Sequence, residues 1–235
     1  MDIKYFSHSD HEVMIAHFPG KLSTTYRELM YSFVERRINI PDNIDIVSII
    51  TDDLIANSPL NKQLSINKVN YINPVKNKCF KWSMTKKIPL ILMGLAESTK
   101  EYCLVLDGAD VVMLSDLDDI TERFLTYGKK VLYNATIWRF PDMLIDLVED
   151  RSQYGRYNYL NAGCCFGKTE HLFNFYELVQ EIFDSYSSYI ESEQFYIRKA
   201  FDKQQNNVFF DYNCKIFQNW HINKEKVEGN VIKLC

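Results

Sequence analysis

"EYCLVLDGADVVML", residues Glu101–Leu114, carries an apolar run of strand-forming residues up to two aspartates, Asp107 and Asp110, and then resumes the apolar run. Tyr102 to Leu106 reads as a buried strand. In parallel α/β sheets the carboxyl ends of strands open on the ligand crevice, so an acid at Asp107 faces a ligand rather than the core. Two carboxylates a few residues apart can share one hard divalent cation, Mg²⁺ or Mn²⁺, which takes oxygen ligands and keeps positions open for phosphate. Asp107-Gly108 also makes an ordinary turn, with Asp110 solvated beside it. On this stretch alone the two readings stand level.

Outward from this strand, apolar runs alternate with segments of helical period, the signature of βα units. Upstream, Val13 to Phe18 reads as a strand, and Thr25 to Ile38 as a helix with Thr25 and Glu28 spaced as a capping box. Asp45 to Ile50 is a second strand. Thr51 to Lys78 is polar and Asn-rich and reads as a long irregular loop with one short strand at Val69 to Ile72. Ser83 to Ser98 reads as a helix with Pro89 near its start. Downstream follow a helix from Asp119 to Tyr127, strands at Lys130 to Ala135 and Tyr159 to Phe166, a helix from Thr169 to Tyr189, a short helix Glu193 to Ala200 and a last strand Val208 to Phe217. The pattern predicts an α/β fold, a mostly parallel twisted sheet with helices on both faces, in one domain over residues 1–235.

A chain of 235 residues with 46% hydrophobic and 14% aromatic residues can bury a real core. The formal charge of -4 argues against binding to nucleic-acid backbone, which needs clustered Lys and Arg. Six cysteines lie without a CxxC, several inside apolar runs, which reads as reduced thiols and a cytoplasmic setting. Ile88 to Ala96 is far shorter than the roughly 20 residues of a spanning helix, so no transmembrane segment is expected. A peripheral membrane association would leave no such trace.

Asp116, Asp118 and Asp119 miss the calcium-loop spacing, and Asp119 with Glu122 reads instead as a helix cap. "YLNAGCCFG", Tyr159 to Gly167, sets Asn161 and Gly163 on an apolar run. Asn161 offers a donor and an acceptor to a hydroxyl-rich ligand, and Gly163 permits close approach to the backbone. A strand with a bulge at Gly163 is the plain alternative. "ESEQFYIRKAF" puts Glu191, Glu193 and Gln194 at a helix start, where the dipole favours acids in any case.

Taken in order, LDGAD, YNATIWRFPD, YLNAGCCFG, SEQFYI and CKIFQNW resemble the metal-dependent glycosyltransferases of the GT-A fold. The nearest likeness is to the collagen glucosyl- and galactosyltransferase domains related to lysyl hydroxylases, with a weaker similarity to glycogenin-like enzymes. The likeness runs from about Lys81 to Trp220, and its strength lies in the ordered set. It implies a Rossmann-like GT-A domain with a nucleotide-binding part over about 1–115 and an acceptor and donor-sugar part over about 116–235. It implies hexose transfer from UDP-glucose or UDP-galactose to a carbohydrate, glycoconjugate or protein acceptor, with retention. By the same likeness, Asp107 and Asp110 hold Mn²⁺ or Mg²⁺ on the diphosphate. Ala16 and His17 match the segment that seats the nucleotide, and Lys87 reaches phosphate, in competition with Lys81 and Lys86. Asn161 and Gly163 lie near the donor sugar, and Glu193 and Gln194 meet sugar hydroxyls or the acceptor.

Two departures stand out. The relatives' third metal ligand is a histidine in a His- and Gly-containing segment near the domain end, whereas His221 here lies in FQNWHIN, a poorer match. Ser192 replaces an acid. Trp138 and Phe140 offer aromatic faces for a sugar, against the common case of plain exposed rings. Cys164 and Cys165 have no base nearby and read as packing. Two other functions share the pattern: a nucleotidyltransferase making sugar nucleotides, for which HFPGKLS is a poor Gly-rich loop, and a catalytically silent scaffold.

Overall fold

The apolar content of residues 102–106 and 131–135 makes two interior strands of the main sheet, one on either side of its central strand at 159–168. The computed structural model describes residues 4–6, 11–20, 24, 26–78, 82–138, 156–186, 190–220, 225–228 and 231–234. The elements in chain order are β1 (Lys4–Phe6), β2 (Ile15–His17), α1 (Arg27–Ser32), β3 (Ile44–Ile49), α2 (Asp52–Ile55) and α3 (Pro59–Ile66). A 3₁₀ turn at Met84–Lys86 leads into α4 (Lys87–Glu97), then β4 (Tyr102–Asp107), β5 (Val111–Met113), α5 (Ile120–Leu125) and β6 (Val131–Thr136). There follow β7 (Tyr159–Lys168), α6 (Thr169–Ser185), α7 (Glu193–Lys203), β8 (Val208–Phe210), β9 (Phe217–Asn219), β10 (Glu225–Glu228) and β11 (Val231–Leu234).

The main sheet has the order β3-β4-β7-β6-β8, and two three-stranded sheets, β5-β2-β9 and β1-β11-β10, accompany it. The α/β class is as expected, but the main sheet is mixed: β3 runs parallel to β4 and β8 to β6, while β7 is antiparallel to both β4 and β6. A strand buried on both faces reads as the same apolar run in either direction, so sequence carries no sign of its polarity. β4 and β7 also join the first and second halves of the chain in one sheet.

Side-chain alternation splits the core into two layers. Cys103 and Val105 of β4 face Ile88 and Ile91 of α4, Phe175 of α6 and Phe195 of α7. Leu104 and Leu106 face the other way, onto Leu60 and Leu64 of α3, Ile120 and Phe124 of α5, and Ile15, Met113 and Phe217 of the β5-β2-β9 sheet. Helices therefore cover both faces, as the period-2 pattern of a doubly covered strand requires.

Several boundaries differ from the sequence reading. The helix expected over Thr25 to Ile38 spans only Arg27–Ser32. Asn67 accepts from the Ile38 amide at 3.0 Å and donates to the Arg36 carbonyl at 2.9 Å, drawing that backbone out of helical pairing. The "irregular loop" Thr51 to Lys78 holds α2 and α3, the latter started by Ser58, whose hydroxyl accepts from the Asn61 amide at 2.9 Å, and by Pro59 at its first turn. Only four of α3's eight residues are buried, so its polar face hid it. Of the strand expected at Val69 to Ile72, a single bridge, Val47 to Ile72, forms. Asp119 does not cap α5 with its side chain but pairs with Arg123 at 2.8 Å.

The last expected strand, Val208 to Phe217, is two strands in different sheets. Fully buried Asp211 accepts from the amides of Lys215 (2.9 Å), Ile216 (2.7 Å) and Phe217 (2.8 Å) and from the Tyr127 hydroxyl, and Cys214 turns the chain at φ 47. One carboxylate thus folds the segment and delivers β9 to the small sheet. Replacing it leaves those buried amides without acceptors, at about 1–3 kcal/mol for each unsatisfied group. Asp211→Ala is therefore expected to lower the unfolding free energy in urea by about 3–5 kcal/mol. A loss below about 1 kcal/mol would show that the turn does not depend on it.

Candidate metal and donor site

The parity that sends Cys103 and Val105 toward α4 and α7 also sends Asp107, the last residue of β4, to that side. Lys87 at the start of α4 and Glu193 at the start of α7 meet it there: the Lys87 ammonium pairs with Asp107 Oδ1 and lies 3.2 Å from Glu193 Oε1. Burial disfavours the Lys87 charge, but Asp107 and then Glu193 outweigh that, so its pKa is raised and it stays an ammonium. Gly108 follows because a Cβ there would lie 2.2 Å from Ile50 Cγ1; the turn needs the bare backbone to pack against the end of β3.

The other half of the site comes from β2. Alternation places Ile15 and His17 toward the main sheet and Ala16 away from it. Ala16 is fully buried in an apolar cluster with Phe18, Val112 and Trp220, since only one of two neighbouring strand residues can turn its side chain toward the site. His17 is only 3% exposed and stands opposite Asn219 in the β2–β9 register. Its Nε2 lies 3.6 Å from Asp107 Oδ2 and 3.5 Å from Asp110 Oδ1. His17, Asp107 and Asp110 offer ligand atoms all within 4.8 Å of one another and could hold a metal ion. Burial pushes the His17 pKa down, but Asp110 and Asp107 more than offset it, leaving it raised.

Asn161 and Gln194 are neighbours as well. Asn161 donates to Gln194 Oε1 at 3.4 Å, Gln194 Oε1 also accepts from the Ala162 amide at 3.1 Å, and Asn161 Oδ1 accepts from the Gly163 amide at 2.9 Å. Gly163, expected near the donor sugar, packs closely against the imidazole of His17. A Cβ there would lie 2.3 Å from His17 Cε1, so the bare Cα makes room for the imidazole. Glu193 Oε2 is buried with no hydrogen-bond partner, an acceptor left open beside Lys87. Trp138 is 66% exposed just beyond β6 and is not drawn into this cluster; Phe140, Lys81 and His221 lie outside the described residues.

A cleft of about 180 Å³ adjoins the two aspartates and Lys87, walled also by Thr51, Leu54, Trp82 and Met84. These four were missed in the sequence. Thr51 and Leu54 carry a usable signal, since they follow the end of β3 as Asp107 ends its parallel neighbour β4. Trp82, 39% exposed, has no periodicity to mark it.

Buried Cys103, Cys164, Cys165 and Cys214 are free thiols. Burial raises Cys165 to about 12, which suits packing rather than nucleophilic chemistry. No helix among the described residues is long and apolar enough to cross a membrane.

The family model described as the PLOD GT domain matches residues 84–233, which hold Lys87, both aspartates, Asn161, Glu193 and Gln194. A procollagen-lysine,2-oxoglutarate 5-dioxygenase of Drosophila melanogaster is 29% identical over 134 residues, covering 54% of this chain and 17% of that protein. The chain therefore spans about a sixth of that relative's length. By a match over more than half its length, the chain belongs to the PLOD GT domain family, a family of glycosyltransferase domains.

Proposed function

We propose that the chain moves a hexose from a UDP-sugar, UDP-glucose or UDP-galactose, to a carbohydrate, glycoconjugate or protein acceptor, using a divalent cation, with retention at the anomeric carbon as the resemblance implies. One observation carries the reading: Asp107 and Asp110, at a strand end beside an open cleft, bring their carboxylates together on a point that Lys87 and His17 also approach. Around it, Asp107 and Glu193 share the Lys87 ammonium and Asp110 stands beside His17, a carboxylate-rich arrangement that a divalent ion would suit.

Breaking a sugar to phosphate bond leaves negative charge on the departing nucleoside diphosphate. A bound Mn²⁺ or Mg²⁺ would stabilise that charge as it develops. Asp107 and Asp110 are the residues that would hold it. Asp107 serves both sides: Oδ1 takes the Lys87 ammonium while Oδ2 faces His17. Lys87 thereby orients the carboxylate and adds a fixed positive charge to the cleft wall. The unpaired oxygen of Glu193 would accept from a sugar or acceptor hydroxyl, and Asn161 and Gln194 would bind further hydroxyls. Leu54, Trp82 and Met84 offer the apolar and aromatic surface that a nucleobase stacks on.

Titration calorimetry tests the metal role directly: the Asp107→Asn, Asp110→Asn double variant is expected to lose Mn²⁺-dependent UDP binding, and unchanged binding would refute it. Glu193→Gln is expected to keep UDP binding but to lower turnover, read as released UDP, by about 100-fold or more. Turnover within about threefold of the parent would remove Glu193 from the chemistry. Pyrophosphate in place of UDP as the product would overturn the transferase reading.

A further inference from the structure

We propose that the trough between α1 and α3 seats a glycan chain bearing acidic groups and leads it into the donor cleft. That such a chain serves as acceptor rests on the transferase reading above; that it binds the trough does not.

Three cavities meet end to end. The donor cleft shares Leu54 and Ala109 with a second cavity of about 190 Å³, which in turn shares Tyr31 with a third, more open one of about 420 Å³ along α1 and α3. Ala109 is exposed between the two aspartates, and its single methyl group keeps the wall at that joint low. The trough is also preformed. Ser58, which starts α3, donates its hydroxyl to the Gly108 carbonyl and ties that helix to the turn of the aspartates. Gln63 donates to the Phe33 carbonyl at 3.1 Å and Asn67 to the Arg36 carbonyl at 2.9 Å, holding the chain after α1 against α3. The Tyr31 hydroxyl donates to the Asn57 carbonyl, which fixes the ring where the second and third cavities join. A ligand therefore meets walls that are already ordered, and little binding energy is lost in immobilising them.

The chemistry of the trough is unlike that of the cleft it joins. Arg27 lines the second cavity and Lys62 the third, with the guanidinium carbon 5.8 Å and the ammonium 4.8 Å from the centroid of the Tyr31 ring. Among the described residues neither cation has a carboxylate partner, and Glu35 is the only acid lining the two cavities. In a chain of formal charge -4, this pair of cations is complementary to an anionic ligand. Thr24, Asn57 and Ser65 stand with them and offer the hydroxyl and amide groups that sugar hydroxyls take. A polypeptide fits less well. The strand under α3 is β5, at the edge of its sheet, and Gln63 closes that edge: its side chain accepts from the Met113 amide at 2.8 Å and donates to the Met113 carbonyl at 2.9 Å. No backbone is left there for a peptide to pair with. Apart from Ala109, every residue lining the two cavities precedes residue 84, where the family match begins, so the seat belongs to this chain's N-terminal part.

The test measures binding of three fluorescent probes to the full chain: a chondroitin sulfate octasaccharide, neutral maltooctaose and an octapeptide of glutamate. The parent is expected to bind the sulfated glycan about 10-fold or more tightly than the other two, with an affinity that falls as salt rises. The Arg27→Glu, Lys62→Glu double variant is expected to lose about 10-fold or more of that affinity and most of its salt dependence. Neither side chain is buried, so its urea midpoint and its binding of UDP with Mn²⁺ are expected to match the parent. Lys100→Glu with Lys203→Glu, away from the trough, is expected to bind the glycan as the parent does. With UDP-glucose or UDP-galactose present, labelled hexose is expected on the sulfated probe, and about 10-fold less of it in the Arg27→Glu, Lys62→Glu variant. Equal binding of maltooctaose, tighter binding of the peptide, no binding of any probe, or an affinity untouched by reversing Arg27 and Lys62 overturns the seat. Binding without hexose on the probe overturns its acceptor role. In either case hexose released to water from the UDP-sugar leaves the transferase reading in place, whereas a parent that binds no UDP overturns that reading and leaves the glycan measurement to stand on its own.

Discussion

The register that sets His17 opposite Asn219 is the constraint on which the site depends. A one-residue slip of β2 would turn Ala16 inward and send the imidazole into the apolar cluster around Phe18 and Trp220, because side chains alternate across a strand. That cluster holds the register: Phe18 stacks on Trp220 with ring centroids 5.1 Å apart, and Val13, Ala16 and Val112 fill the same face. Packing on one side of a three-residue strand thus fixes chemistry on the other.

The second support is the end of β4. Its alternating residues bind the two core layers together, and the same alternation leaves Asp107 among α4 and α7. The result is a wall of charge at a strand end, with Lys87, Glu193 and Asp107 in contact and an open oxygen on Glu193. Buried charges of this kind gain little for stability after desolvation, and their arrangement makes better sense as a site prepared for a charged ligand. Asp211 shows the contrasting case: its oxygens are taken up by backbone amides and a tyrosine, and it builds a turn instead of a site.

Much of this could be read from the chain before the fold was seen. The apolar run into Asp107 and Asp110 placed the carboxylates at a strand end, and Glu193 and Gln194 were found at a helix start, all with local signals. Where sequence misled, nonlocal contacts were the cause. The hydrogen bonds of Asn67 shortened α1, the amides gathered by Asp211 split a strand in two, and a polar outer face disguised α3. Gly163 makes room for a group that comes from a strand far away in sequence, His17.

By itself the sequence determined the α/β class and the strand that ends in paired acids, because each rests on periodicity or spacing within a few residues, and it carried the ordered motifs by which the chain resembles its family. Only the tertiary structure decided that β7 runs antiparallel, that Lys87 bridges Asp107 and Glu193, and that His17 rather than Ala16 faces the carboxylates. Those outcomes depend on which strands pair and in what register, and that is settled by burial on the far faces of the strands, where a local pattern carries no address.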